Sequence, residues 1–371
     1  MKEINIAKML VTKRREKGIT QDEIAAYIGV SKASVSKWET GQSYPDITFL
    51  PKLAAYFNIS IDELMGYEPQ MTKEDIKKLY HQFSSSFATR PFDDVLGECR
   101  MIIKKYYSCF PLLFQMAVLL ANHHMLSKEK KEQETILNEA AELCIRIRTE
   151  SDDVWLAKEA TSFEAVCYLM LQQPQDVLNL LGESIRMMPT DYEIVGQAYQ
   201  MMGNISKAKE VTQVSMYQHL LALIGATPSY LMLNADNSNK IEEILHRTLS
   251  VAEIYDLKQL HPNTMAQIYF TAAQVYGLQS DAEKALDMLQ RYSDICTRNF
   301  LLFSLHGDSF FDEIDGWLAD FDLGADAPRD EKVIKESMLQ SVLSNPAFTF
   351  LAEQPLYKNI IKTLESNLGG N

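Results

Sequence analysis

Apolar residues recur along this chain at intervals of three and four, with few interruptions. That period puts them on one face of a helix. Near the start, Ile6 and Leu10 mark a first helix over about 5–17, which stops at Gly18. Thr20-Gln21-Asp22-Glu23 has the spacing of a capping box, so a second helix begins at Gln21. It turns Ile24, Ala25 and Ile28 inward and ends at Gly29. Ser31 caps a third helix, Lys32 to about Glu39. Asp46 caps a fourth, reaching Phe57, and Ser60 a short fifth, to about Met65.

Glu68-Pro69 breaks the chain, and Thr72 caps the next helix. From there to the end the helical period predicts elements over 73–84, 92–107, 111–125, 129–149, 153–172, 175–187, 191–202, 205–224, 239–256, 263–278, 281–297, 309–321, 330–344 and 355–367. The polar stretch 225–239 reads as a loop. The expected fold class is all-α. The expected division is a five-helix head over 1–68, a linker over 69–72 and a helical body over 73–371.

The second and third helices, separated by a short glycine-containing turn, form a helix-turn-helix pattern. At about 100° per residue, Lys32, Ala33, Ser36 and Lys37 share one arc of roughly 140° on the third helix. Val35 and Trp38 fall on the other side and must pack inward. The free face is polar, cationic and modest in bulk, as a helix entering the DNA major groove requires. Lys can donate to guanine, Ser suits several base edges, and Ala leaves room for a thymine methyl.

Composition narrows the reading further. Gly and Pro together number 27 of 371 residues, few enough to permit long helices and to disfavour an all-β fold. The five cysteines show no C-x-x-C spacing and are expected to be buried free thiols in a reducing compartment. The apolar run Phe110 to Ala121 is far short of the ~20 residues a membrane span needs. With no stretch resembling a signal peptide, a cytoplasmic location is expected and no membrane partner. Net charge is −14, yet the head carries nine Lys/Arg and nine Asp/Glu, so all of the excess acid belongs to the body. A neutral head can still turn a basic face to phosphates, whereas the acidic body must sit away from them.

The segment ITQDEIAAYIGVSKASVSKWETG, with FLPKLAAYFNISIDELMG after it, resembles the Cro/phage-repressor-type, or XRE-like, helix-turn-helix family. The likeness spans roughly Ile6 to Gly66 and rests on Gln21, Ala25, Gly29, Val35, Trp38, Glu39 and Gly41 at the family spacing. It implies that Gln21 bonds a phosphate and that Lys32, Ala33, Ser36 and Lys37 face base edges. It also implies that Thr40, Gln42, Ser43 and Tyr44 touch the DNA backbone. Ser31 and Ser34 complete the expected contact set. Arg14 and Glu39 would form a buried ion pair tying the first helix to the end of the third. Ala33 and two lysines stand where family members often carry bidentate Gln or Arg, which implies a readout leaning on phosphates and DNA shape.

The body holds faint self-similarity. Gly196, Tyr199, Gly203 and Ala208 have tetratricopeptide spacing; Ala273, Tyr276, Ser280 and Ala285 repeat it, and Ala165 with Tyr168 is a poorer copy. Antiparallel helix pairs are therefore expected. In that frame Glu159, Ser162, Glu193, Gln197, Gln200, Gln267, Phe270 and Gln274 would line a concave ligand groove, with amides suited to an extended peptide. Phe310, Phe311, Trp317, Phe348, Phe350 and Leu356 suggest a dimer surface near the C-terminal helices. No catalytic or metal motif stands out: His123 and His124 are adjacent and point about 100° apart, too divergent for one metal. No enzyme activity, metal or cofactor is expected. An XRE-like head on such a body resembles the peptide-sensing quorum regulators of the same superfamily. The reading is a sequence-specific transcription regulator that binds double-stranded DNA as a homodimer and takes a peptide or small-molecule effector. The alternative is an antitoxin or adaptor whose repeats bind a partner protein.

Overall fold

The computed structural model describes residues 5–66, 70–184, 191–298, 304–325 and 327–368. Among these residues the regular structure is helical throughout, without a strand. The head comprises α1 (Ile6–Glu16), α2 (Gln21–Ile28), α3 (Lys32–Glu39), α4 (Leu50–Phe57) and α5 (Ile61–Met65). Its own core gathers Ile6, Leu10, Ile24, Ile28, Val35, Trp38, Leu53 and Leu64. The Asn5 N–H donates to Met65 O at 2.8 Å and fastens the start of the head to its end. Asp46 caps a short 3-10 turn, Ile47–Phe49, and α4 starts only at Leu50, with Pro51 in its first turn. The expected linker falls between α5 and α6; residues 67–69 lie outside the described residues.

The body is built on two cores. The first belongs to α6 (Lys73–Thr89), α7 (Phe92–Lys105), α8 (Phe110–His123), α9 (Lys130–Glu150) and α10 (Val154–Met170), and runs from Ile76 to Cys167. After α11 (Pro174–Leu181), α12 (Asp191–Met201) and α13 (Ile205–Gly225) come α14 (Thr227–Leu233), α15 (Ser238–Ile254), α16 (Leu257–Leu260) and α17 (Pro262–Leu278). The last helices are α18 (Ala282–Arg298), α19 (Asp315–Ala319), α20 (Glu331–Leu343) and α21 (Pro355–Leu368). The second core draws on Val214 to Leu368.

Three expectations are corrected. The loop foreseen over 225–239 contains α14, because Leu231 is fully buried under α17 and tertiary packing orders the turn. The helix foreseen over 309–321 shrinks to α19. Asp308 instead accepts from the Phe310 and Phe311 N–H groups at 2.8 Å each, and the Gly307 N–H donates to Asp315 at 2.6 Å, holding a turn there. The helix foreseen over 175–187 ends at Leu181, where Gly182 takes φ 84°; residues 185–187 lie outside the described residues.

The segment between α19 and α20 straps the two cores together. Leu323 packs on the first core. The His81 imidazole donates to Leu323 O at 3.0 Å, the Ser84 hydroxyl to Pro328 O at 3.2 Å, and the Gln115 amide to Asp322 at 3.0 Å. Lys73 pairs with Asp322 at 3.1 Å.

The three faint sequence copies share one turn. Gln172, Gly203 and Ser280 occupy the same place after their tyrosines and all take left-handed φ, at 58°, 78° and 59°. In each, the next residue donates its N–H back to the tyrosine carbonyl: Gln173 to Tyr168, Asn204 to Tyr199, Asp281 to Tyr276, at 2.9, 2.9 and 3.0 Å. The helices on either side, α10 with α11, α12 with α13 and α17 with α18, pack against each other. At Gly196 a side chain would begin 3.0 Å from Thr212 Oγ1, so the missing methyl permits the close approach of α12 and α13.

All five cysteines are buried free thiols. Among the described residues no helix is long and apolar enough to cross a membrane, and no three His, Cys, Asp or Glu side chains converge as a metal site.

Candidate nucleic-acid interface

The geometry of α3 is set before it begins. Thr20 and Glu23 cap α2 reciprocally: Thr20 Oγ1 accepts the Glu23 N–H at 3.3 Å, and the Thr20 N–H donates to Glu23 Oε2 at 2.6 Å. Gly29 ends α2 at φ 86°, a left-handed conformation that suits glycine. Its N–H and that of Val30 both return to Ala25 O at 3.0 Å. Ser31 then accepts the Ser34 N–H at 3.1 Å and opens α3.

From α3, Val35 and Trp38 are buried, and the Trp38 ring lies 6.0 Å from that of Phe49. Lys32, Ala33 and Lys37 are exposed, with Ser34 and Ser36 half-buried beside them. The exposed arc is therefore cationic. Among the described residues no carboxylate pairs with the Lys37 ammonium. Lys32 pairs with Asp22 of α2 at 2.7 Å, both side chains being more than half exposed. The sequence pattern carries no sign of this pair, because it spans the turn between two helices.

Behind the arc lies a polar clamp. Arg14 Nε donates to Glu39 Oε1 at 2.6 Å, Arg14 Nη2 to Glu39 Oε2 at 3.0 Å, and Arg14 Nη1 to Ile19 O at 3.2 Å. Burial pushes the Glu39 carboxyl up, but the hydrogen bonds from Arg14 and Gln21 outweigh it and hold the group below its ordinary value. Gln21, expected at a phosphate, donates its amide to Glu39 Oε2 at 2.9 Å. One amide hydrogen and the carbonyl oxygen remain for any second role. Thr40 Oγ1 turns back to Ser36 O at 2.9 Å. The N–H groups of Gln42 and Ser43 fold over the helix end onto Lys37 O at 2.9 and 3.3 Å, leaving Gln42, Ser43 and Tyr44 exposed at the rim. Ile47, largely exposed next to them, was not singled out by the sequence pattern.

Of the eight residues of the expected ligand groove, two share a cavity. Gln267 and Phe270 line a cavity of about 830 Å³ beside α20. Glu159 and Ser162 stand exposed on α10, and Gln197 and Gln200 on α12. Glu193 accepts from the Ser215 hydroxyl at 2.7 Å, and Gln274 is half-buried further along α17.

Helix capping, buried Val35 and Trp38, the glycine turn and the exposed cationic arc together define a helix-turn-helix domain. Residues 10–64 match the family model described as Helix-turn-helix. Over 74 residues the chain is 34% identical to the HTH-type transcriptional activator BcrR of Enterococcus faecalis, covering 18% of this chain and 36% of that protein. Over 63 residues it is 38% identical to the cryptic phage CTXphi transcriptional repressor RstR of Vibrio cholerae serotype O1, covering 17% of this chain and 56% of that protein. The matched segment thus spans about a third to about half of those relatives. Among solved structures, the apo form of the competence regulator ComR from Streptococcus vestibularis aligns over 86% of this chain and 98% of its own, at 12% identity and a TM-score of 0.22. That likeness is too slight to extend the comparison to the body.

Proposed function

We propose that this protein is a sequence-specific DNA-binding transcription regulator. The division of labour is a head over 1–68, a linker over 69–72 and a body over 73–371 that dimerises and senses a ligand. The observation that carries the reading is the exposed Lys32, Ala33 and Lys37 arc on a helix whose opposite side is locked by buried Val35 and Trp38. That face enters the major groove, Lys32 and Lys37 reach base edges or phosphates, and Ser31, Ser34, Ser36 and Thr40 flank them. Gln21 supplies its remaining amide hydrogen to a phosphate, and Gln42, Ser43 and Tyr44 track the DNA backbone. Footprinting with the full chain, upstream of its own coding region and its neighbours, tests this. A protected site lost on replacing Lys32 and Lys37 together by Ala is expected; protection unchanged in that variant rejects the reading.

One helix-turn-helix reads about half a site, and two heads one DNA turn apart give useful affinity. A homodimer through the body supplies them. Of the C-terminal residues first expected to form that contact, Phe311 and Phe348 are each only 1% exposed and belong to the second core, whereas Phe310, Phe350 and Leu356 stand partly exposed at 51%, 43% and 44%. The middle of the body supports the reading better. There Trp155, Leu169, Leu181, Ile194, Met201 and Met202 all stand exposed on or beside α10, α11 and α12. Sedimentation of the full chain is expected to give a dimer that Trp155→Lys with Met201→Lys converts to monomer. A monomer in the unmodified chain, or a dimer indifferent to both changes, rejects it.

A further inference from the structure

The cavity that Gln267 and Phe270 line draws its walls from both halves of the body: Asn122 comes from α8, Tyr292 from α18, Ile334 and Met338 from α20, and Arg329 from the strap. About 830 Å³ falls within the ~300–1,000 Å³ range of small-molecule sites. We propose that this cavity binds a small organic carboxylate, with the Arg329 guanidinium as its anchor and the aromatic and aliphatic walls around its apolar body.

The Arg329 side chain is half-buried, and among the described residues no carboxylate lies within 4.0 Å of its guanidinium. Its hydrogen-bond partner is a thioether, Met125 Sδ, at 3.7 Å, a weak acceptor. The nearby acids are committed elsewhere. Glu331 pairs with Lys335 at 2.6 Å, and Asp330 caps α20 through the Lys332 N–H at 3.0 Å. Burial lowers the Arg329 pKa, as expected of a cation removed from water without an opposing charge close by. Five donors in a planar fork match a carboxylate at two points, so a ligand carboxylate supplies the interaction the protein omits. Asn122 and Gln267 offer amide donors and acceptors at the edge. A ligand here would touch α8 of the first core and α17 and α20 of the second, and so favour one arrangement of the two halves.

This deepens the sensing part of the proposed function, and it rests on that part only for its consequence at DNA. Binding is therefore measured on the full chain without DNA, by isothermal titration with hexanoate, decanoate and phenylbutyrate, each against its uncharged primary amide. The expected result is that at least one acid binds and that its amide binds about tenfold or more weakly. Arg329→Gln is expected to reduce acid binding by a similar factor, Arg329→Lys by less, and Ser337→Phe, which fills the cavity, to abolish it. Binding of none of the acids, equal binding of acid and amide, or acid binding unchanged in Arg329→Gln overturns the proposal. Should Arg329→Gln lose its helical circular dichroism, the acid-to-amide ratio in the unmodified chain and the effect of Ser337→Phe decide. The site stands if DNA binding fails in a separate assay, and DNA binding stands if the site fails.

Discussion

Arg14 and Glu39, 25 residues apart in sequence, meet in a two-pronged ion pair, Nε to Oε1 at 2.6 Å and Nη2 to Oε2 at 3.0 Å. The Glu39 side chain is 4% exposed and that of Arg14 19%, so the pair is shielded on one side and open on the other. It joins α1 to the last residue of α3, and Gln21 joins α2 to the same carboxylate. One acidic group therefore ties both α1 and α2 to the end of α3, beside the packing of Val35 and Trp38.

Replacing Glu39 by Ala is expected to destabilise the head by about 1–3 kcal/mol, less than a fully buried pair because Arg14 can turn toward water. Replacing both residues by Leu is expected to cost less than Glu39→Ala alone. Chemical denaturation monitored by Trp38 fluorescence, in a chain with Trp155→Phe and Trp317→Phe, measures both. Equal losses for the single and double variants would show that the pair does not hold α3.

The two lysines of α3 are predicted to differ. Lys37→Ala removes a charge with no carboxylate partner among the described residues and is expected to weaken operator binding by about 1–3 kcal/mol. Lys32→Ala removes a charge that Asp22 already shares, and its effect should be smaller. Conversely, Asp22→Ala frees Lys32 and is expected to tighten DNA binding roughly twofold or more at low salt, an advantage that fades as salt rises. Gel shifts across a salt series check the order.

The shared left-handed turn gives a stability prediction with opposite signs at two sites. Gly203→Ala meets no neighbour within 4 Å but must hold φ 78°, so a loss of about 1 kcal/mol is expected. Ser280→Gly relieves a serine held at φ 59° and is expected to stabilise by up to about 1 kcal/mol. Denaturant midpoints of the full chain that move the same way for both variants would contradict the shared turn.

Burial pushes the His123 imidazole from its ordinary 6.5 down to about 4. Its ring stacks on Phe87 at 4.7 Å, and Nδ1 donates to Leu119 O at 2.8 Å. Between those two values the unfolded chain takes up a proton that the folded chain refuses. Stability is therefore expected to fall as pH drops from about 6.5 toward about 4, by about 3 kcal/mol from this residue. His123→Phe keeps a stacked ring and removes the titration. Denaturation at pH 4.5 and pH 7.5 should show a smaller difference in that variant than in the unmodified chain.

The head was legible in the sequence because its signals are local. Thr20 and Glu23, Gly29, Ser31 and Ser60 act within a few residues, and Val35 and Trp38 declare their face by helical spacing. The all-helical body was legible for the same reason, and so was the repeated spacing that places Gly203 and Ser280 after Tyr199 and Tyr276. What the sequence did not determine is everything carried across long separations. The Asp22–Lys32 pair crosses a turn, and α14 exists because Leu231 is buried by a helix some thirty residues further along the chain. Ser84 meets Pro328 across 244 positions, and Arg329 is left half-buried over a cavity formed by two separate cores. Helical period reports which face of each element is apolar. It cannot report which elements those faces meet, because that depends on burying apolar area over the whole chain at once.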